Sequence, residues 1–328
     1  MTAPAVDVQA LTRSFDDFVA VDHISFAIRK GEIFGLLGPN GAGKTTTISM
    51  LATMLRPTSG RATVDGHDIM TDEDGVRRSI GIVFQDQTLD EELTAAENMD
   101  FHGRLYRIPK EVRERRTAEL LDLVGLSEKK DLQVKTFSGG MKRRLEIARG
   151  LLHRPAVLFL DEPSIGLDPQ TRNHLWGYIE RLNAEDGITI ILTTHYMEEA
   201  DRLCDRVAII DHGRIVAMDT PKNLKSGIGG DIIAIDSPDA GEVYASLDAV
   251  WPGLVERQDG AVSVRLKHAG EEIAGIVTLL SSQGLGIRSV SMHTPTLEDV
   301  FLHMTGRAMR DEHASGTDQM RMHPRMRR

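Results

Sequence analysis

The sequence contains a single cysteine, Cys204. One thiol excludes an intrachain disulfide framework and a cysteine-only metal site, and it fits an expected cytosolic home. Aromatic residues are scarce, at 5%. No stretch approaches the roughly 18 consecutive apolar residues of a membrane-spanning helix. The opening run, MTAPAVDVQALTRSF, lacks a basic start followed by an apolar core, so no secretory signal is expected. Basic charge is in short supply as well. The 39 Lys and Arg against 49 Asp and Glu leave a formal net charge of −10. That balance speaks against broad nucleic-acid binding by charge.

What is present is an ordinary globular mixture. Hydrophobic residues are 41% and charged residues 27% of 328, which excludes whole-chain disorder. At roughly 100–200 residues per domain, about two domains are expected.

Residues 5–37 alternate apolar and polar positions in short runs and read as several strands, some antiparallel. A helical pattern runs from Lys44 to Leu55, and ATVDGHDI reads as a hairpin around Asp65-Gly66. Residues 93–130 and 141–152 are helical in period. AVLFLD (156–161) and ITIILTTH (188–195) are short and apolar throughout, as buried parallel strands are. A helix over about 170–184 separates them. After Ser226 the order strand, helix, strand, strand, helix, strand predicts a ferredoxin-like split βαβ arrangement. A short helix, TLEDVFLHMTG, closes it, and residues 307–328 read as a disordered tail. The expected domains are 1–228 and 229–306.

The strongest local signal is GPNGAGKTT: Gly38, Pro39, Asn40, Gly41, Ala42, Gly43, Lys44, Thr45 and Thr46. It matches a P-loop and lies between a strand and a helix, the context that motif requires. Its glycines let backbone N–H groups point at phosphate oxygens, and the helix N-terminus adds a favourable dipole. Lys44 is then expected at the β- and γ-phosphates, Thr45 on Mg²⁺ and Thr46 near the α- and β-phosphates. AVLFLDEP supplies the acids. Asp161, at the carboxyl end of a strand, would position Mg²⁺. Glu162 follows and can take a proton from, or orient, an attacking water.

With those two motifs in place, the sequence resembles the ATP-binding subunit of ATP-binding cassette (ABC) transporters over about residues 5–225. FSGGM (Phe137 to Met141) is similar to the signature motif of that family and stands just before the acidic strand end. Phe137 and Met141 replace the usual Leu and Gln, while Ser138, Gly139 and Gly140 are intact. Gln85 matches the Q-loop glutamine, a further metal contact. SIGLD, ending at Asp168, matches the D-loop. His195 matches the switch histidine, and Phe15 matches the aromatic that stacks on adenine. Read singly, Gln85 is a surface glutamine, His195 a structural histidine and Phe15 a core residue, with Phe18 a competing aromatic. Their joint order favours the functional reading.

The resemblance implies an α/β P-loop cassette with a helical subdomain over about 86–150 and a small C-terminal α+β domain. It implies an ATPase using ATP and Mg²⁺, with Glu162, His195 and Gln85 serving catalysis. Two copies would sandwich two ATP, each signature facing the other copy's P-loop. A separate polytopic permease would hold the pair at the cytoplasmic face of the cell membrane. The C-terminal extension resembles the daunorubicin/doxorubicin-resistance type, which implies export of a drug, antibiotic or lipid. A soluble ABC ATPase in translation or DNA repair is the alternative, and a P-loop kinase is a second rival. No nucleic acid is expected as a partner.

Overall fold

The computed structural model describes residues 3–258, 261–267 and 269–306. They form two compact units, divided between Met218 and Asp219.

The first unit begins with β1 (Val6–Phe15), β2 (Phe18–Ile28), β3 (Ile33–Leu37), α1 (Lys44–Leu51), β4 (Ser59–Val64), β5 (His67–Asp68), α2 (Glu73–Ser79) and β6 (Ile80–Val83). It continues through α3 (Ala95–Leu105), α4 (Lys110–Leu123), α5 (Gly139–Gly150), β7 (Val157–Asp161), α6 (Pro169–Asp186), β8 (Thr189–Thr194), α7 (Met197–Leu203), β9 (Arg206–Asp211) and β10 (Arg214–Asp219).

Two sheets share these strands. The antiparallel one has the order β2-β1-β4-β5, and its β4–β5 turn is Asp65-Gly66, both at positive φ. The other has the order β10-β9-β3-β8-β7-β6, in which β9, β3, β8, β7 and β6 run parallel to one another. Every residue of β3, β7 and β8 is buried. Burial on both faces is why these strands read as unbroken apolar runs. Register then sets the site. Leu37 pairs with Thr194 and Asp161 with Thr193, so Gly38, Glu162 and His195 all emerge at one edge.

Two helical expectations change in detail. α1 stops at Leu51 rather than Leu55, because Thr53 takes a left-handed conformation (φ 59) and the Leu55 N–H folds back to the Ser49 carbonyl. The helical run over 93–130 is two helices. α3 is started by a Thr94/Glu97 capping box, and α4 begins after Pro109.

The second unit holds α8 (Pro221–Ser226), β11 (Asp231–Asp236), α9 (Ala240–Val250), β12 (Val255–Gln258), β13 (Ala261–Leu266), α10 (Ala269–Ser282), β14 (Ser289–His293) and α11 (Leu297–Thr305). The sheet order β12-β13-β11-β14, antiparallel at each pairing, is the split βαβ arrangement. Ile233, Val262 and Val264 of the strands bury against Val243, Leu247, Ile276 and Leu280 of α9 and α10. α8 packs on α11, so the division falls before, not after, the segment ending at residue 228. The tail from 307 lies outside the described residues.

Candidate active site

The P-loop connects β3 to α1, and two of its glycines, Gly38 and Gly43, are required by close approach. A Cβ on Gly38 would stand 2.2 Å from the Ile210 carbonyl oxygen. Gly43 has φ +105, and a Cβ there would stand 2.5 Å from the Ala20 carbonyl oxygen. Gly213, in the β9–β10 turn, closes on the same Ala20 oxygen, at 2.8 Å from its own notional Cβ. The Gly213 N–H donates to the Ala42 carbonyl (3.0 Å), and the Asp22 N–H donates to the Gly213 carbonyl (2.8 Å). Loop, hairpin and β2 are thereby tied at one point. Asn40 and Gly41 are exposed, Pro39 and Thr46 half-buried, and Ala42 buried.

Lys44 is 4% exposed. Its ammonium donates to the Gly38 carbonyl (2.7 Å) and the Pro39 carbonyl (3.0 Å), and lies 3.5 Å from Glu162 Oε1. Burial pulls its pKa down, against the Glu162 charge. Thr45 Oγ1 donates to Asp161 Oδ1 (3.2 Å), which also accepts from the Thr193 hydroxyl. Burial pushes the Asp161 carboxyl up, against those two hydrogen bonds.

Glu162 sits in the left-handed region (φ 46), held there in part by its N–H on Thr193 Oγ1 (3.0 Å). A non-glycine residue at positive φ persists where its surroundings over-determine it, and active sites are where such strain collects. One carboxylate oxygen faces Lys44, and the other lies 3.1 Å from His195 Nδ1. Burial raises this carboxyl, but the His195 hydrogen bond and the Lys44 charge outweigh it and hold it below its ordinary value. Glu162 is therefore ionised at neutral pH and able to accept a proton.

Hydrogen bonds and ion pairs thus unite Lys44, Thr45, Asp161, Glu162 and His195. The remaining sequence candidates stand apart from that cluster on the same unit. Gln85 is exposed beyond β6 and lines a cavity of about 210 Å³ with Gly139 and Leu167. Ser138 and Gly139 are exposed at the start of α5, where the Ser138 hydroxyl accepts from the Met141 N–H (3.3 Å). Gly140 is buried, and a Cβ there would meet Thr171 at 2.2 Å. Asp168 caps α6 through the Thr171 N–H (3.0 Å) and hydroxyl (2.6 Å), bonds that lower its pKa. Phe15 ends β1 with 41% of its surface exposed, one face of its ring covered by the Arg13 guanidinium at 4.4 Å. Phe18 opposite is 57% exposed, so neither aromatic is core.

Sequence reasoning missed Thr193, whose hydroxyl holds Asp161 and Glu162 at once. The signal was present as a Thr-Thr pair ending an otherwise aliphatic strand, two residues before His195.

The residues present fit a magnesium nucleotide. Among the described residues, no three His, Cys, Asp or Glu side chains could hold a metal. One carboxylate and one hydroxyl suit an ion that takes its other ligands from phosphate oxygens and water.

A phosphate loop at a strand end, an acid pair on the neighbouring strand and a parallel sheet define a P-loop nucleoside triphosphatase. Residues 21–165 match the ABC transporter family, and residues 220–305 match the C-terminal domain of DrrA1-3-like ATP-binding proteins. The chain is 39% identical to the linearmycin resistance ATP-binding protein LnrL of Bacillus subtilis, over 93% of this chain and 100% of that one. It is 40% identical to the daunorubicin/doxorubicin resistance ATP-binding protein DrrA of Streptomyces peucetius, over 92% of both. It is 39% identical to the Nod factor export ATP-binding protein I of Ralstonia nicotianae, over 94% of this chain and 96% of that one. A dimeric ATP-binding cassette solved after hydrolysis, with ADP and Pi, superposes with a TM-score of 0.59 at 27% identity, covering 66% of this chain and 98% of that one. The chain belongs to the ATP-binding proteins of ABC transporters, and it is an ATPase of that family.

Proposed function

We propose that this chain is the ATP-hydrolysing subunit of an exporter for a drug, antibiotic or lipid. It works as a homodimer around two ATP, beneath a separate polytopic permease at the cytoplasmic face of the membrane. Among the described residues no helix is long and apolar enough to cross a membrane, and the proposal gives that task to the other chain. Relatives named for antibiotic resistance and for Nod factor export favour export over translation or DNA repair.

The residues divide the task as follows. Phe15 stacks on adenine with the face that Arg13 leaves open, Phe18 being its nearest competitor. Lys44 exchanges carbonyl partners for the β- and γ-phosphates, and backbone N–H groups of the P-loop take the remaining oxygens. Thr45, Asp161 and Gln85 would hold Mg²⁺, which would supply charge neutralisation for the transferring phosphoryl group. Glu162 accepts a proton from the attacking water or orients it, and His195 steadies Glu162 and reaches the γ-phosphate. Ser138, Gly139 and Gly140 serve the nucleotide of the partner copy, with Asp168 beside them. Phosphoryl transfer is mostly positioning and charge stabilisation, so this division accounts for the reaction.

The observation that carries the reading is the Glu162 carboxylate held between Lys44 and His195 at the end of β7. Its test is Glu162→Gln. Losing a general base costs about 10²–10⁴ in rate, while the contacts to ATP survive. The variant is expected to bind ATP, release almost no phosphate and run as an ATP-bound dimer in size-exclusion chromatography with Mg-ATP. Phosphate release near the wild-type rate would move the water-positioning role to Gln85 and His195.

A further inference from the structure

α5 is more than the carrier of the signature motif. Its residues Arg143 and Glu146 lie on one face, three apart, and are 7% and 1% exposed. The Arg143 guanidinium donates to three consecutive main-chain carbonyls around the acid turn: Asp161 (2.8 Å), Glu162 (3.1 Å) and Pro163 (2.9 Å). A further N–H reaches the Phe84 carbonyl, immediately before Gln85, and pairs with Glu146 Oε2 at 3.2 Å. The other oxygen of Glu146 accepts from the Thr88 N–H (2.8 Å) and the Thr88 hydroxyl (3.3 Å). Gln85 is therefore bracketed on both sides by one ion pair, which also grips the backbone on both sides of Glu162.

We propose that Arg143 and Glu146 are a positioning pair that sets Glu162 and Gln85 from the signature helix. The inference rests on the roles proposed above for those two residues. A buried ion pair is weak evidence for stability, since an apolar pair of similar volume is often as stable. What this pair supplies is geometry. Successive carbonyls in the left-handed turn at Glu162 converge on one planar donor fork, which over-determines a backbone that would otherwise relax. A lysine carries the charge but has no rigid fork with which to span three carbonyls. Because the fork is built on α5, which Ser138 caps, a shift of that helix is transmitted to both Gln85 and Glu162.

The test uses the full-length chain with Arg143→Lys and with the apolar double variant Arg143→Met/Glu146→Leu. Phosphate release gives kcat and KM, equilibrium titration gives ATP affinity, and thermal melting gives stability. Small misplacement of a catalytic group costs up to about 10²-fold. Both variants are expected to lose about that much in kcat, with KM and ATP affinity within about threefold of wild type. The double variant is expected to melt as wild type does. Should it fail to fold, Arg143→Lys alone carries the reading. Should that fail too, Glu146→Gln carries it, with kcat lower by about tenfold. Wild-type kcat in a folded variant would overturn the proposal and leave the pair a structural feature. In a Glu162→Gln background, Arg143→Lys is expected to remove less of the residual rate than it removes from wild type, because the share of its effect that acts through Glu162 is already gone. A full further loss would overturn that route. Normal hydrolysis by Glu162→Gln alone would defeat the catalytic assignment instead, so the two failures are distinguishable.

Discussion

The two units of the chain bury different things. In the first, Lys44, Arg143, Glu146, Asp161, Glu162 and Glu199 are all inaccessible to solvent or nearly so. In the second, among the described residues, the one buried polar side chain is Ser237, whose hydroxyl donates to the Gly286 carbonyl (2.6 Å) and accepts from the Asp239 N–H (3.0 Å). The core between its sheet and its helices is aliphatic, and Phe301 of α11 is buried as well. Buried charge is costly unless every group is paired, so the first unit holds its charges only through dense hydrogen bonding. The second unit is a packing module by comparison. The contrast teaches where function lies: substitution in the first unit should change rates, and substitution in the second should change stability.

The sharpest challenge to that contrast is Ser138, which is exposed and which we propose faces a partner copy's nucleotide. Ser138→Arg is expected to leave ATP binding by the isolated chain intact and to cut hydrolysis by about 10²–10³-fold, the scale of losing one transition-state contact. ATP titration and phosphate release measure the two sides. Unimpaired hydrolysis would mean that the signature does not face a partner's nucleotide.

A smaller effect concerns the charges themselves. Glu162 has its pKa lowered on folding, first against burial, chiefly by His195 and Lys44. Its ionisation therefore stabilises the fold above the unfolded pKa, and that contribution is lost as pH falls through the lower folded value. Asp161, with a raised pKa, works in the opposite sense: its contribution is present in acid and is lost as pH rises through the folded value. Deleting the principal partner, in His195→Ala, should cost about 1.5–3 kcal/mol of stability while Glu162 is ionised. Urea titrations at several pH values are expected to show that cost shrinking as the pH falls through the acid range. A cost independent of pH would sever His195 from Glu162.

The smallest effect belongs to the second unit. Ile276→Val trims one methylene from its aliphatic core, where Ile276 is fully buried. About 0.5–1.5 kcal/mol of stability should be lost, with kcat unchanged. A fall in kcat without a fall in stability would show that the second unit reaches into hydrolysis.

Much of this architecture is legible in the sequence, because the signals are local. GPNGAGKTT needs Gly38 and Gly43 for close approach, and the buried strands β7 and β8 announce themselves as short runs with aliphatic centres. The order of elements in the second unit follows from periodicity and turn residues. Sheet membership is less visible. β3 leaves the antiparallel partners that precede it for a different sheet, and only long-range pairing decides that. The Arg143–Glu146 pair is hidden for a related reason. MKRRLEIARG reads only as a helix, and burial shows only in the spacing of Gly140, Arg143, Ile147 and Gly150 along one side of α5. A charged pair on that stripe was the available clue.

The junction at Ala20 has a consequence for which nucleotides the site can hold. Gly43 of the phosphate loop and Gly213 of the hairpin both abut one carbonyl of β2, two residues beyond Phe18, the cross-strand partner of Phe15. One strand, β2, thus carries both the carbonyl on which the phosphate loop closes and the residue that pairs with Phe15, the aromatic we propose for the base. On that proposed role, the span from base to terminal phosphate would be gauged against this one strand and its β1 neighbour.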